Sequence, residues 1–275
     1  MNRLLSYEEK NTWLHHLSGI TKLLFFLIWC FTSALTYDTR VLLVMIAVSA
    51  VLYIMSGTRW QQVSTVFGFI MVFMVLNLVA IFIFSPYQGT QIYGTKTVLT
   101  AFLPGHAITR EELFYLFNVM IKYFTVVPSV FIFMVTTNPS EFAASMNRIG
   151  VPYTISYSVA LALRYIPDVQ SDYRRIRNAQ EARGIEMSAK AKLKDRIRRT
   201  SSIIFPLLFS AMDHIDVVSN AMELRGFGKK KKRTWYAYRK LQPMDYAVLA
   251  ATVLFSAAAL IITFADGNRF WNPWG

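Results

Sequence analysis

The sequence predicts an all-α membrane protein: about five transmembrane helices plus a cytoplasmic coupling domain of long amphipathic helices. Three observations predict it. Of the 275 residues 54% are hydrophobic, and they fall in long unbroken runs rather than at core-forming intervals. The net charge of +13 is concentrated in residues 138–243, which hold 20 Lys and Arg against 9 Asp and Glu. That same stretch carries one heptapeptide twice. Asn178-Ala179-Gln180-Glu181-Ala182-Arg183-Gly184 returns 42 residues later as Asn220-Ala221-Met222-Glu223-Leu224-Arg225-Gly226, with five of seven positions shared.

The spans come first. Runs at about 20–36, 41–56, 63–85 and 113–137 make residues 1–137 a membrane block, and a fifth run lies in residues 244–275, followed by a short outer tail. A hydrocarbon core about 30 Å thick takes roughly 20 residues of helix. Lipid leaves backbone polar groups no partner outside helices and closed barrels. The first two runs are short for a span, and flanking Tyr, Thr and Lys must extend them. The Lys and Arg excess places residues 138–243 in the cytoplasm. With five spans the N-terminus is then inside and the C-terminus outside, and the expected outer segments carry only Arg40, Lys96, Arg110 and Arg269. Glu8, Glu9 and Lys10 precede the first run, and no small-residue cleavage site follows it, so that run is expected to stay as an anchor. Cys30 is the single cysteine, which excludes intrachain disulfides and Cys-rich metal sites.

The inserted stretch reads as helices. Pro139 stops the fourth span, and Ser140 is the expected N-cap of a short amphipathic helix running through Met146 to Gly150. Farther on, Val169, Tyr173, Ile176 and Ala179 recur at helical spacing between Asp172, Arg174, Arg175 and Arg177. Gly184 closes that helix, where a left-handed cap is cheap. A second helix begins near Ser202, shows Leu208, Met212, Ile215, Val218 and Met222, and ends at Gly226. Both apolar stripes are narrow, so the helices are expected to pack on each other and on the membrane block. Residues 229–233 are all basic and precede Trp235, Tyr236 and Tyr238. Beside a span, such a patch is expected to rest on anionic lipid rather than on nucleic acid.

Arginine near a helix C-terminus followed by glycine is an ordinary helix ending. Two copies in one register say more. Glu181 and Arg183, like Glu223 and Arg225, are two residues apart and do not face each other. Each arginine can therefore point at another protein, and its planar fork suits bidentate contacts. With Asn178, Glu181, Asn220 and Glu223 in support, the pair resembles the twin Ala-Arg-Gly signatures of the transmembrane T component of energy-coupling-factor (ECF) importers. Ala182-Arg183-Gly184 matches in full, whereas Leu224-Arg225-Gly226 departs at its first position. The order of membrane block, coupling domain and last span is similar too, as is Thr21-Lys22-Leu23 at the first run. The resemblance implies a coupling subunit in a bacterial or archaeal cell membrane. Each signature would dock on one of two ATPase subunits. The helices would carry ATP-driven movement to a separate small membrane subunit that binds the vitamin or metal ion, held by membrane-block faces that include Gly68.

Other candidates are weaker. Gly89 to Thr97 approaches a phosphate-binding loop, but Thr95 separates Gly94 from Lys96, so the chain itself is not expected to bind or hydrolyse ATP. His15-His16 lacks a third ligand, and no cofactor or metal is expected. Lys122, about nine residues into its span, is a functional candidate by position; the structural reading has it snorkel or pair with Glu112 or Asn77, near a kink at Pro128. The rival reading of the whole chain is a membrane-embedded lipid-modifying enzyme using Asp213, His214 and Asp216. A third is a membrane-anchored interaction module.

Overall fold

A computed structural model of the chain describes residues 12–103, 106–183, 193–229, 234–235, 239–265 and 269–274. In chain order it contains α1 (Trp13–His16), α2 (Gly19–Leu35), α3 (Thr39–Met55), α4 (Trp60–Phe84), α5 (Gln88–Tyr93), β1 (Val98–Leu103), β2 (His106–Thr109), α6 (Arg110–Thr136), α7 (Pro139–Arg148), α8 (Tyr153–Ala182), α9 (Leu193–Leu224) and α10 (Pro243–Ala265). The strands form one small antiparallel hairpin. The chain divides into two compact units: Met1–Phe142 with Arg239–Gly275, and Ala143–Tyr238.

In the first unit the apolar runs become helices that alternate in direction. Ser18, at the start of α2, donates its N–H to Asp245, at the start of α10 (2.9 Å). At the far ends of the same two helices Thr36 bonds Thr263 (2.5 Å). Thr39 at the start of α3 donates to Asn118 in the first half of α6 (2.7 Å), and Ser49 donates to the Thr125 carbonyl farther down (3.2 Å). Val63, early in α4, packs with Val127, Phe131 and Val135 of α6, so these two helices are also antiparallel. The approach to α2, the exit of α6 and the start of α10 thus lie at one end of the unit. At the other end lie α5, the β-hairpin, the start of α6 and the tail after α10.

A second cluster fills the centre. Trp29 stacks between Phe25 and Phe255 (5.4 and 5.3 Å) over Val41, Met45 and Ala259. The outward faces are apolar and bare: Phe69, Phe73 and Leu76 of α4 and Leu254 and Ile261 of α10 are more than half exposed. In water such faces would be a liability; in hydrocarbon they carry no cost.

Span lengths bear out the expectation that the first two runs are short, and one further helix reaches span hydropathy. Among the described residues four helical stretches are long and apolar enough to cross a bilayer: Trp60–Phe84, Arg110–Thr136, Thr200–Leu224 and Pro243–Ala265. Helices α2 and α3 have 17 residues each, about 25 Å at 1.5 Å per residue, so they fall short of a full hydrocarbon thickness. Conversely, Thr200–Leu224, assigned from sequence to an amphipathic helix, has the hydropathy of a span.

Helix starts also correct one residue. Asn138, not Ser140, caps α7: its side-chain oxygen accepts from the Ser140 N–H (3.0 Å). Pro139 is then the first helical residue, where its missing N–H costs nothing.

At the hairpin end, α5 lies directly on α6. The Gly89 N–H donates to the Glu112 carboxylate (2.7 Å), and a Cβ at Gly89 would collide with the Glu111 carbonyl. Gly89→Ala is therefore expected to destabilise the protein by about 1–3 kcal/mol, the usual range for forced overpacking. Gly68→Ala, with open space around its Cβ, should leave stability unchanged. Thermal denaturation in detergent compares the two; equal melting temperatures would contradict the contact.

Candidate functional site: two arginine-bearing helix ends

Helices α8 and α9 form an antiparallel pair inside the second unit. Gln180 donates to the Ser202 carbonyl (3.3 Å), His214 approaches Asp172 (3.8 Å) and meets the Tyr165 ring edge-on (6.0 Å), and Phe227 packs on Tyr153 and Tyr157 (5.5 and 4.8 Å). Residue numbers rise along α8 as they fall along α9. The consequence is that the two heptapeptides sit at opposite ends of the pair. Tyr157 and Gln180 mark those ends on α8, about 35 Å apart at 1.5 Å per residue.

The two ends are built alike. Arg183 is the C-cap of α8, and its N–H reaches back to the Ala179 carbonyl (3.3 Å); Arg225 does the same with Ala221 (3.3 Å). The repeated alanine accepts from the repeated arginine in both copies. At the second end the geometry continues into a full glycine cap. Gly226 has φ 67° and donates to Glu223 (2.8 Å), while Phe227 donates to Met222 (2.9 Å). This crossed pair of bonds is the Schellman arrangement, and the left-handed turn it needs is what glycine supplies. Gly184 lies outside the described residues.

Arg183 and Arg225 are both exposed, as are Asn178, Glu181, Ala182, Asn220 and Glu223. Leu224 is 89% exposed, an apolar side chain standing where the first copy has alanine. Glu181 pairs with Arg177 one turn back (2.9 Å) and so leaves Arg183 outside that ion pair.

The helices pack on each other as expected, with Val169, Ile176, Val218 and Met222 of the stripes half-buried, but other members stay open. Leu208, Met212 and Ile215 of α9 are 53%, 60% and 57% exposed, and Tyr173 of α8 is 40% exposed. The polar Gln180 and Ser202 and the Asp172–His214 contact also bridge the two helices. Trp235 is likewise committed inside the unit, against Tyr153 (5.6 Å) with its N–H on Asn147 (3.2 Å), rather than forming an outer belt. Of the basic run only Lys229 lies within the described residues; Tyr236 and Tyr238 lie outside them.

The remaining candidates resolve into structural contacts. Asp213 and Asp216 are exposed on α9, and His214 turns to Asp172 and Tyr165. Among the described residues no group of three His, Cys, Asp or Glu is arranged to hold a metal ion. His15 contacts the Thr12 hydroxyl (2.6 Å) within the first turn. Lys122 donates to the Ala34 carbonyl in the last turn of α2 (3.1 Å) and lies over the Tyr37 ring. Those partners, not Glu112 or Asn77, hold it. In the loop resembling a phosphate site, Glu112 occupies the Gly89 N–H and Glu111 the Thr97 N–H (3.1 Å). Gly94 (φ 71°) merely ends α5. Burial pushes the neighbouring Tyr93 phenol up to about 12, against a lowering bond from Asn118.

Two features escaped the sequence reading. One is the Phe227 clamp that seats the second helix end on α8. The other is an aromatic cap on the first unit, where Tyr37, Tyr93, Phe114, Phe270 and Trp274 meet. The only signal for either was aromatic density near chain turns, which gives no partner.

The model of the CbiQ family, described as cobalt transport protein, matches residues 10–236. The energy-coupling factor transporter transmembrane protein EcfT of Leuconostoc gelidum subsp. gasicomitatum is 25% identical over 95% of this chain and 98% of its own length. The EcfT of Macrococcus caseolyticus is 26% identical over 82% and 91%. A protein of Bifidobacterium longum named as an ABC transporter ATP-binding protein is 29% identical over 48% of this chain, which corresponds to 18% of its own length.

Because Gly226 holds φ 67°, Gly226→Ala should cost about 1–2 kcal/mol at that helix end. Amide hydrogen exchange should then speed up from Met222 to Phe227, with α6 unaffected. Unchanged protection across that turn would show that the cap is not what holds it.

Proposed function

We propose a function from the premise that this chain belongs to the CbiQ family of cobalt transport proteins: it is the transmembrane coupling component of an ECF-type importer. As a membrane component of such a transporter it works within a complex rather than alone. The observation that carries the finer reading is the placement of two matching, exposed arginine ends at opposite ends of one antiparallel helix pair. A single docking point could sit anywhere. Two equivalent points about 35 Å apart suit two similar motor subunits side by side. The relative named as an ATP-binding protein supports ATPase partners.

In this reading Arg183 and Arg225 each enter a groove on one ATPase, with Ala182, Gly184, Leu224 and Gly226 shaping the approach. Asn178, Glu181, Asn220 and Glu223 support the two turns. Leu224 requires a roomier groove than Ala182 does. Closure of the ATPases on ATP pulls on both ends of the pair, and α8 and α9 transmit that as a hinge or shear movement. A small membrane subunit carrying the substrate is held on the bare apolar faces of the membrane block, Gly68 and the exposed face of α4 among them. The chain binds no nucleotide, consistent with carboxylates occupying the N–H groups a phosphate would need. The second unit lies in the cytoplasm, the N-terminus with it, and the C-terminus outside. The 229–233 run rests on anionic lipid.

Arginine anchors at interfaces typically lose about 2 kcal/mol or more on truncation, roughly thirtyfold in affinity. Arg183→Ala and Arg225→Ala are each expected to weaken co-purification of the ATPases by that factor, and the double variant to abolish substrate uptake by cells. Lysine should rescue poorly at either position, since a point charge lacks the guanidinium fork. Full uptake by the double alanine variant would end the docking assignment.

A further inference from the structure

We propose that a recess between α1, the start of α2 and the approach to α10 binds the phosphate headgroup of an anionic membrane lipid. The cavity has a volume of about 340 Å³ and is lined by His16, Ser18, Arg239, Lys240 and Gln242. At roughly 30 Å³ per water it holds about ten waters, enough for a phosphate with its glycerol.

The charge around it is set by the fold. Arg239 and Lys240 are permanent cations on the wall, and among the described residues no carboxylate lines the space. The two nearby acids are already engaged. Glu141 pairs with Arg239 (3.1 Å), and Asp245 accepts from the N–H groups of Ser18 (2.9 Å) and Gln242 (2.8 Å). Buried behind them, Lys22 adds a third cation, held on the carbonyls of His15 (3.2 Å) and Thr136 (2.8 Å). With Glu141 matched to Arg239 and Asp245 turned to backbone N–H groups, Lys240 leaves a positive excess facing the open space, which is the electrostatic requirement for an anion. At the start of α2 Asp245 takes the Ser18 N–H and the Ser18 hydroxyl takes the Thr21 N–H.

Position favours a lipid over a soluble anion. Gln242 immediately precedes Pro243, the first residue of α10. From there α10 presents Tyr246, Val253, Leu254 and Ile261 at 61%, 52%, 70% and 70% exposure, recurring every seven to eight residues along one face. A molecule with phosphate at one end and acyl chains at the other uses both the recess and that stripe. Inorganic phosphate uses only the first. Basic pockets at the membrane ends of helices are where headgroups of this kind are held.

The test uses the full-length protein in mild detergent with a mixture of phosphatidylglycerol and phosphatidylcholine, and native mass spectrometry to count retained lipids. Lys240 is exposed, so its variants fold. Lys240→Glu should lower phosphatidylglycerol retention by about tenfold, as expected for reversing one charge near the surface. Lys240→Arg should retain it. Lys96→Glu, at the opposite end of the unit beside Tyr87, should change nothing. Equal losses in Lys240→Glu and Lys96→Glu, or no loss in either, overturn the site. Displacement of the lipid by inorganic phosphate, which then remains bound itself, shows a soluble anion in the recess and overturns the lipid assignment. The outcome is independent of whether ATPases dock on Arg183 and Arg225.

Discussion

The constraint on which the membrane block depends is that helix ends buried away from water must still satisfy their backbone polar groups. Ionisable side chains do this throughout the first unit, and their signs follow the helix dipole. Carboxylates take N–H groups at starts: Asp245 for α2 and α10, Glu112 for α5, Asp38 for α3. Cations take carbonyls at ends: Lys22 for α1 and α6, Lys122 for α2. Several of these bonds also cross between elements far apart in sequence, Asp245 to Ser18, Lys22 to Thr136, Lys122 to Ala34 and Glu112 to Gly89, so there capping and tertiary fixation are one interaction. Asp245 ties the first helix of the block to the last across 227 residues of chain. Removing either partner of such a bond would strand a buried polar group, which costs far more than the bond itself contributes.

This arrangement separates the charged residues of the chain into two classes. Several inside the block bond backbone groups, Lys122 among them at the Ala34 carbonyl. In the second unit the helix ends are closed differently. A left-handed glycine satisfies the last carbonyls of α9 through main-chain bonds alone. The arginine side chain beside it is then not required for capping and stands outward. Cations are spent on buried carbonyls in one unit and stand exposed beside a glycine cap in the other, and the difference lies in how each helix ends.

Much of this was legible in the sequence, and the parts that were not share a cause. Run length and the absence of charge located all five helices of the block, because lipid imposes that pattern regardless of partners. The doubled heptapeptide marked both helix ends, because glycine and arginine act locally. What failed depended on pairing. Asn138 and Ser140 are both good caps, and only backbone geometry chose Asn138. The stripes on α8 and α9 have correct helical spacing, but spacing gives a face and not what covers it. Lys122 could be seen to need a partner; that the partner is a carbonyl of α2 and the ring of Tyr37 follows from the alternation of helices, not from any residue near it in sequence.

The ambiguity of α9 follows from the same limit and bears on mechanism. The stretch Thr200–Leu224 has the hydropathy of a span, yet it pairs antiparallel with α8, whose exposed face carries Arg164, Arg174, Arg175 and Arg177. A lone spanning helix has no reason to hold an arginine-rich partner through a polar seam of Gln180, Ser202, Asp172 and His214. In hydrocarbon that seam and those arginines would be costly. Ile204, Phe205, Leu208, Phe209 and Met212 on one long side are then better covered by an apolar protein surface or the bilayer margin than by crossing it. An antiparallel helix pair joined along a seam is stiff along its length. Pull applied at the Arg183 and Arg225 ends would therefore move that face as a body, and whatever covered it would have to follow or let go.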